Sequence, residues 1–426
     1  MKLTGLLGII VLLILAWAFS KNRRVINWRV VGWGLGLQIL FAVFIFIIPA
    51  GAKVFMFINK MVLAVLSSAS AGTEFVFGAL AKGPGTEGSL GYFFAFQAMP
   101  SIIFFAALIG LLYYLGIMQW VIKGFAWVFT KLMRISGAES LSASANIFVG
   151  VESSLIIKPY INKMTKSELN TVLTVGMATV ASSMLAVYIT VLHHQFPTIA
   201  GHLVSASIMN APAAIVISKL LYPETEKPET LGLKIKPHFD KKNSMFETIL
   251  DSAQSGVKLI VGIVAMLLAF LGLVALLDKI MILLGTPING LFHSGIDFSL
   301  KGILGYVFYP ITWLIGIPAQ DVGTISGIIG ERVVLTEITA FQDLANVIRQ
   351  EMISPRSAVI TTYALTGFAH IASVAIFVGG YAALAPKRAG DLSKLGFRAL
   401  LGATLATLLT ASIAGVFYQN VSILSM

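Results

Sequence analysis

One interrupted apolar segment constrains the fold of this chain more than any other stretch. Residues 145–159 read ANIFVGVESSLIIKP, so that an apolar run stops at Gly150, presents the carboxylate of Glu152 and then resumes. The segment is too short and too polar at its centre to cross a bilayer, which takes about 20 apolar residues. The pattern predicts a helical hairpin that enters the membrane and leaves on the same side. An acidic side chain at membrane depth indicates a functional site.

A second interruption of the same kind follows in the C-terminal half. Residues 330–341 read GERVVLTEITAF, and Glu337 occupies the place that Glu152 holds in the first segment. Broken helices at corresponding positions of two halves are typical of secondary transporters, in which the solute binds between the repeats. The sequence therefore predicts a membrane transporter with one site built from both interruptions.

Composition places the whole chain in a membrane. Hydrophobic residues make up 57% of the 426 residues and charged residues 12%, about half the charged share of a soluble domain. Cysteine is absent, so disulfide and thiolate chemistry are not available. The net charge of +11 would suggest nucleic acid for a soluble chain, but in a membrane protein basic residues collect on cytoplasmic loops. We therefore predict no nucleic-acid partner.

The apolar runs predict eight membrane crossings. The first run, residues 3–19, is followed at once by basic residues that resist translocation, so we interpret it as a membrane helix with its N-terminus outside rather than as a signal peptide. Residues 52–66 carry two lysines and are predicted to lie along the outer surface. With this orientation most of the 30 basic residues fall on the inner side, as the positive-inside rule requires. The other seven predicted crossings are residues 30–48, 101–115, 168–192, 199–221, 259–277, 356–384 and 395–417.

The order of these elements repeats along the chain. An aromatic-rich interfacial helix, a hairpin and two crossings occur twice, and the single crossing between the copies makes them an inverted repeat. The predicted fold is thus all-α and polytopic, with eight transmembrane helices, two re-entrant helical hairpins and interfacial helices. The predicted divisions are scaffold helices in 1–116, the first repeat in 117–222 with its hairpin at 139–163, a cytoplasmic loop and central scaffold helix in 223–301, and the second repeat in 302–426 with its hairpin at 320–348.

Four oxygen-bearing groups around the first interruption form a candidate cation site. Asn146 offers an amide oxygen and Val149, one turn later, a backbone carbonyl; Thr179 and Val180 in the next crossing offer a hydroxyl and a second carbonyl. A site of oxygen ligands suits Na⁺ better than a transition metal. The structural alternative is that Asn146 caps a half-helix and Thr179 bonds its own backbone.

Two acids and a histidine form a candidate solute or proton site. Glu152 and Glu337 are candidate acceptors for a solute that bears hydroxyl or amide groups, or proton carriers, unless each forms a buried salt bridge, for example with Arg332. Ser373 lies one turn after His370 on the same face, which favours a polar lining over a packing histidine. A rival function is an intramembrane enzyme using His370, Ser373 and Glu152, which would need a nucleophile and a base within hydrogen-bond reach.

Several motifs resemble the concentrative nucleoside transporter family, and the similarity runs from about residue 98 to residue 422. The motifs are NIFVG at 146–150, KPY at 158–160, TKSEL at 165–169, TEITAF at 336–341, SPRS at 354–357 and YALTGFAHIAS at 363–373.

Three positions depart from that family's pattern. A lone Val151 replaces the Gln-Thr that precedes the first glutamate, Thr336 stands where an Asn is usual, and His370 replaces an Asn that touches ribose. Each lost hydrogen-bond partner at such a site costs about 1–3 kcal/mol. The identity of the solute, and coupling to Na⁺ or to H⁺, are therefore left open by the sequence.

The resemblance implies a symporter, not an enzyme, that imports nucleosides through the cell's inner (plasma) membrane by alternating access. It further implies a homotrimer embedded in the lipid bilayer, with Na⁺ as the coupling ion. The implied positions are Gly150, Val151, Glu152 and Met184 for the nucleobase, Glu337, His370 and Ser373 with Phe368 beside them for the ribose, and Asn146, Val149, Thr179 and Val180 for Na⁺.

Overall fold

The chain is helical throughout the part that the structure describes. The computed structural model describes residues 2–83, 86–238, 244–293 and 295–419. Within these ranges the one β-type contact is an isolated bridge between Ser136 and Leu231. The predicted all-α class is confirmed. Residues 239–243 of the predicted cytoplasmic loop lie outside the described residues.

Eighteen α-helices follow one another in these ranges, with single turns of 3-10 helix at Gly78–Ala81, Ile161–Lys163 and Pro386–Arg388. The α-helices are α1 (Lys2–Ala18), α2 (Trp28–Phe46), α3 (Pro49–Phe77), α4 (Phe94–Gln97), α5 (Pro100–Tyr114), α6 (Ile117–Met133), α7 (Gly137–Asn146), α8 (Ser153–Ile156), α9 (Lys166–Ala178), α10 (Ser182–Leu192), α11 (Ile199–Leu221), α12 (Met245–Phe292), α13 (Leu300–Leu314), α14 (Ala319–Val334), α15 (Glu337–Arg349), α16 (Pro355–Leu365), α17 (Ile371–Leu384) and α18 (Ala389–Phe417).

Seven segments of the described chain are long and apolar enough to cross a bilayer. Six of the eight predicted crossings are among them, and the other two correspond to the shorter apolar helix α1 and to the pair α16 and α17. The seventh segment contains α3, which is longer than the surface helix predicted over residues 52–66.

Contacts of α3 lie at one end of the helix bundle. The Asn59 amide donates a hydrogen bond to the Pro197 carbonyl over 3.2 Å and accepts one from the Gly201 amide over 3.0 Å. Phe55 packs on the same glycine. Since Pro197 and Gly201 flank the start of α11, α3 runs across the predicted outer end of that helix. Its position along the surface stays a prediction.

Both predicted hairpins are present as pairs of helices. In the first, α7 and α8 are separated by residues 147–152, and in the second, α14 and α15 are separated by residues 335–336. Two of the crossings are also broken, because residues 179–181 divide α9 from α10 and residues 366–370 divide α16 from α17. These two breaks are not expected from the sequence pattern. Together with the two hairpins, they put four pairs of free helix ends inside the bundle.

Side-chain caps fix where the first hairpin and the crossing after it begin. Ser136 and Glu139 form a capping box on α7, with N···O distances of 3.2 and 3.1 Å. Thr165 and Glu168 form the same box on α9, at 3.1 and 2.7 Å. Both sequences have a hydroxyl residue followed by Glu three residues later, a pattern that satisfies free N–H groups at a helix start.

Helix α12 is the most exposed long helix of the bundle. It spans 48 residues and packs mainly against α5. Large apolar side chains cover its outer side, and Leu268 and Leu283 are each 73% exposed. Such a surface does not suit water and fits the hydrocarbon of a bilayer.

We predict that Gly176→Ala destabilises the bundle. A Cβ at Gly176 on α9 would lie 2.3 Å from Cε1 of Phe377 on α17, and that ring is 2% exposed and cannot move aside. Overpacking of this kind costs about 1–3 kcal/mol, more than the ~0.5–1 kcal/mol that Ala contributes over Gly in a helix. Thermal unfolding of the purified protein measures the effect.

The control is Gly379→Ala on α17, where nothing lies within 4 Å of the new Cβ. It should leave the unfolding temperature unchanged or raise it slightly. Equal losses in the two variants would contradict the packing described here.

Candidate functional site

A small cavity of about 80 Å³ lies where the two hairpins meet the two broken crossings. The structure brings all eight predicted solute residues together around it. Leu259, Ile263 and Met266 of α12 close one side. The predicted residues in its lining are Gly150, Val151, Glu152, Met184, Glu337, Phe368, His370 and Ser373.

The carboxylate of Glu337 is the polar centre of this cavity. The residue is 1% exposed and begins α15, just after the second interruption. Tyr188 of α10 donates its hydroxyl hydrogen to Oε1 over 2.6 Å, and His370 Nε2 lies 3.0 Å from Oε2. The ring of Tyr188 also stacks on Phe341 of α15, with 4.5 Å between the ring centroids. The carboxylate is thus held from two sides.

The orientation of His370 follows from its position at the start of α17. Its Nδ1 accepts the backbone N–H of Ser373 over 3.3 Å, as an N-cap side chain does. In the neutral ring the hydrogen is then on Nε2, which faces Glu337. Ser373 completes the cap by donating its hydroxyl hydrogen to the His370 carbonyl over 2.5 Å.

This arrangement contradicts the intramembrane enzyme. The Ser373 hydroxyl is directed to a backbone carbonyl and only its backbone N–H reaches the imidazole. A nucleophilic serine needs its hydroxyl on the basic nitrogen. His370 and Ser373 therefore form a helix cap beside the cavity and not a nucleophile–base pair.

The alternative partner for Glu337, Arg332, is engaged elsewhere. Its Nη1 contacts the Ala364 carbonyl of α16 and lies 3.1 Å from Oγ1 of Thr407 on α18. Among the described residues no ion pair joins Arg332 to Glu337. The fully buried guanidinium links α14 to α16 and α18, and His370 is the ionisable partner of the carboxylate.

The tip of the first hairpin offers a single free polar side chain. The Glu152 carboxylate makes no hydrogen bond or ion pair within the ranges that the structure describes, although its backbone carbonyl accepts the Leu155 N–H over 3.0 Å. Val151 packs against α17, since a Cβ on Gly380 would lie 2.3 Å from its Cγ2. The lone valine that replaces two hydrogen-bonding residues therefore holds the tip against α17, and Glu152 remains free to meet a solute.

The predicted cation ligands lie next to this tip. Asn146 is fully buried, its Nδ2 donates to the Ser142 carbonyl over 2.9 Å, and its Oδ1 has no hydrogen-bond partner among the described residues. Thr179 donates its hydroxyl hydrogen to the Val175 carbonyl over 2.8 Å, so its oxygen lone pairs stay available.

Hydrogen bonds from Ser182 hold the two breaks beside each other. Its backbone N–H and its hydroxyl both donate to the Phe148 carbonyl, over 2.9 and 2.7 Å. Val149 and Val180 lie in these two breaks and are 7% and 1% exposed. A buried amide oxygen without a partner among the described residues, on the helix that ends at the first of these breaks, fits the oxygen ligands that Na⁺ takes.

Sequence reasoning missed Tyr188, which contacts Glu337 directly. The available signal is its position one turn after Met184, on the same face of α10. Its partner lies 149 residues away in the chain, so spacing alone does not reveal the contact. Ser182, which joins the two breaks, was missed for the same reason.

Two hairpins and two broken helices around one buried carboxylate define a secondary membrane transporter. Residues 7–80 match the family described as Na⁺ dependent nucleoside transporter N-terminus, and residues 202–415 match its C-terminus. Residues 95–195 match a nucleoside recognition domain. The chain belongs to the Na⁺-dependent, or concentrative, nucleoside transporter family.

Relatives of known sequence align with nearly the whole of this chain. Sodium/nucleoside cotransporter 1 of Rattus norvegicus is 36% identical over 98% of this chain and 64% of that protein. Solute carrier family 28 member 3 of Mus musculus is 36% identical over 96% of this chain and 58% of that protein. The chain thus spans about three fifths of the length of these mammalian relatives. An uncharacterized transporter of Haemophilus influenzae is 36% identical over 97% of both chains.

The fold matches one transporter in more than one state. CNTnw in an inward-facing substrate-bound state gives a TM-score of 0.88 at 34% identity, covering 97% of both chains. A variant of CNTnw in an outward-facing state gives 0.87 at 34% identity, covering 98% of this chain and 97% of that one. The predicted polytopic architecture with two hairpins is confirmed.

We predict that Na⁺ stabilises the protein through Asn146. At ten times the dissociation constant, a bound ion contributes about 1.4 kcal/mol to the free energy of unfolding. Na⁺ should therefore raise the thermal unfolding temperature relative to the same concentration of choline, and Asn146→Ala should remove the difference.

The matched control is Asn170→Ala on α9. Asn170 is equally buried, but it donates to Ser218 Oγ over 2.7 Å, away from the breaks. This variant should be less stable and still respond to Na⁺. If Na⁺ raised the unfolding temperature of Asn146→Ala as much as that of the wild type, the Asn146 amide oxygen would not be a ligand of the ion.

Proposed function

We propose that this chain is a Na⁺-coupled symporter that imports nucleosides, or nucleoside-like solutes, across the cell's inner (plasma) membrane by alternating access. The observation that carries the proposal is the buried Glu337 carboxylate, whose Oε2 accepts no well-aligned hydrogen bond from the described residues although His370 lies beside it. A buried acceptor in this condition is satisfied by a donor from a water molecule or a ligand, and this one faces the cavity. The names of the sodium/nucleoside cotransporter relatives support the choice of solute and ion.

A ribose suits the remaining capacity of Glu337. An ionised carboxylate offers about four acceptor positions. Tyr188 fills one on Oε1, and His370, 3.0 Å from Oε2, covers a second without a well-aligned hydrogen bond. About two positions remain, which matches the two hydroxyl donors of a vicinal diol. Phe368 and Met184 line the same cavity and supply apolar surface for a planar base.

The free carboxylate of Glu152 is the polar contact for the base end. It lines both the central cavity and a neighbouring cavity of about 200 Å³ that reaches Tyr113 of α5 and Ser252 of α12. These two residues lie at the predicted cytoplasmic ends of their helices. The solute would therefore leave toward the cytoplasm between the first hairpin and the α5 and α12 pair.

Coupling between ion and solute follows from the compactness of the first interruption. Asn146 and Val149 on one side and Gly150 to Glu152 on the other lie within seven consecutive residues. An ion that orders this segment lowers the entropy cost of placing the tip against the solute, and by linkage the solute strengthens ion binding equally.

We also propose that the protein is embedded in the lipid bilayer as a homotrimer. The exposed apolar side of α12 supports contact with bilayer lipids and with further copies of the chain. Assembly as a homotrimer is carried by the family resemblance.

Uptake into proteoliposomes tests the function. Labelled uridine and adenosine are supplied with an inward Na⁺ gradient, a proton gradient or neither. We expect the labelled nucleosides to accumulate only with the Na⁺ gradient. The uptake rate should fall by at least about tenfold in Glu337→Gln, because a hydrogen bond to an ionised group contributes about 1.5–3 kcal/mol. Folding of each variant is checked by its unfolding temperature.

Other outcomes point to the rival readings. Uptake driven by a proton gradient would mean that H⁺ is the coupling ion, and His370 beside Glu337 would be the candidate proton carrier. Folded protein that takes up neither nucleoside under any gradient would mean that the scaffold carries another polar solute.

A second test addresses the diol. We predict that 2′-deoxyuridine and 3′-deoxyuridine compete with labelled uridine more weakly than unlabelled uridine does, by about 10- to 100-fold for each hydroxyl that donates to Glu337. In Glu337→Gln the difference between uridine and its deoxy analogues should shrink, since the mutated side chain and the missing hydroxyl belong to one interaction. Equal competition by all three compounds would mean that the ribose hydroxyls do not donate to Glu337.

A further inference from the structure

A cavity of about 1000 Å³ at the predicted cytoplasmic side takes no part in the site described above. It lies between the start of α2, the end of α6 and residues 223–238, which we call the strap. The strap is bound to the first hairpin at its middle and at its last residue, because the Gly137 amide donates to the Thr230 carbonyl over 2.8 Å and the His238 amide donates to the Ile156 carbonyl over 2.9 Å. The cavity therefore adjoins three elements that hold the base of that hairpin.

Besides Arg29, which donates to backbone carbonyls, three basic residues in the lining lack a carboxylate partner. Lys131, Arg134 and Lys234 are exposed to the cavity and form no ion pair within the described part of the chain. Lys131 lies over the ring of Trp127, 4.8 Å from its centroid, and this tryptophan is 44% exposed. Glu226 also lines the cavity and pairs with none of the three.

The acids deeper in the cavity share a single basic partner. Lys219 is 6% exposed and lies 2.6 Å from Glu139 and 3.4 Å from Glu224. It also donates to the Ser167 hydroxyl over 2.9 Å. The inner wall therefore carries one positive charge against two negative ones, but the whole lining holds five basic and three acidic side chains, so that its net charge remains positive.

The backbone holds the outer wall in a defined shape. Arg29 of α2 donates to the Leu132 carbonyl over 2.9 Å and to the Lys131 carbonyl over 3.3 Å, which satisfies the last turn of α6. Arg134 then ends that helix with a φ of 52°, in the left-handed region that side chains other than glycine rarely adopt. This left-handed cap ends α6 and fixes the position of Arg134 at the rim of the cavity.

The geometry points to a binding site for a phosphate group, carried by an anionic lipid of the inner leaflet or by a soluble phosphate ester. The positive-inside rule explains why basic residues are on this side, but it does not gather three unpaired ones from α6, the turn after it and the strap around one concavity. Lysine and arginine together are the usual donors to phosphate oxygens. Basic pockets at the cytoplasmic face are known to bind lipid headgroups. This site is independent of the proposed solute and coupling ion.

Binding of short-chain probes to the full-length protein in detergent tests the site. The probes are dioctanoyl phosphatidylglycerol, dioctanoyl phosphatidylcholine and glycerol 3-phosphate, and native mass spectrometry and thermal unfolding report binding. The variants are the triple change Lys131→Gln, Arg134→Gln and Lys234→Gln, and Lys234→Gln alone. The matched control is Lys123→Gln, an exposed lysine of the same helix α6 outside the cavity lining.

We expect phosphatidylglycerol to bind wild-type protein and the Lys123→Gln control equally, with affinity reduced by about fivefold for each charge removed from the cavity. Binding of phosphatidylglycerol alone identifies a lipid headgroup, and competition by glycerol 3-phosphate identifies a soluble ester. If the triple variant does not fold, Lys234→Gln alone tests the site by its loss of affinity for phosphatidylglycerol. This variant should fold, because Lys234 forms no ion pair in the described part of the chain. Equal binding of phosphatidylcholine, or equal losses in Lys123→Gln and the cavity variants, would overturn the proposal.

Discussion

The structure depends on how broken helices satisfy their backbone polar groups without water. Four pairs of helix ends lie inside the bundle, and neighbouring elements supply the missing partners. Two residues of α11, one turn apart, do this for both halves of the chain: Ser207 donates its hydroxyl hydrogen to the Ile147 carbonyl over 2.9 Å, and Asn210 donates its amide hydrogen to the Thr366 carbonyl over 2.6 Å. A single helix thereby holds the first hairpin and the second broken crossing in a fixed relation.

The same requirement explains why an imidazole is accommodated at position 370. The amide of an asparagine would offer one acceptor for the free N–H at the start of α17 and one donor for Glu337. A neutral histidine offers the same pair, since Nδ1 accepts from the Ser373 N–H over 3.3 Å and Nε2 faces Glu337 at 3.0 Å. The departure from the family's pattern therefore preserves the donor and acceptor arrangement while it adds a larger ring and a titratable group to the cavity.

Apolar periodicity and interruptions predicted the helical class, both hairpins and four polar residues at the cavity, because burial in lipid restricts each of these in the sequence itself. The four are Glu152, Glu337, His370 and Ser373, whereas the other predicted cavity residues were implied by the family resemblance alone. The break at residues 179–181 could not be predicted, since it contains neither Pro nor Gly and depends on the bonds from Ser182 to Phe148, 34 residues earlier. Tyr188 was missed because its partner is remote in the chain. The length of α3 was underestimated because lysines that mark a surface helix also interrupt an apolar run.

The shortened tip of the first hairpin has a consequence for recognition. Val151 fills the space above Gly380, so the tip is positioned by packing on α17, the helix that also carries Ser373 and is capped by His370. Residues at both ends of the cavity are therefore positioned by the same helix, α17. Under the proposed function, the ribose end would meet a carboxylate with several fixed neighbours, whereas the base end would meet one free carboxylate and apolar surface. Discrimination between solutes rests on polar groups that are left unpaired by the wrong ligand, so we propose that the ribose end carries most of the selectivity of this site.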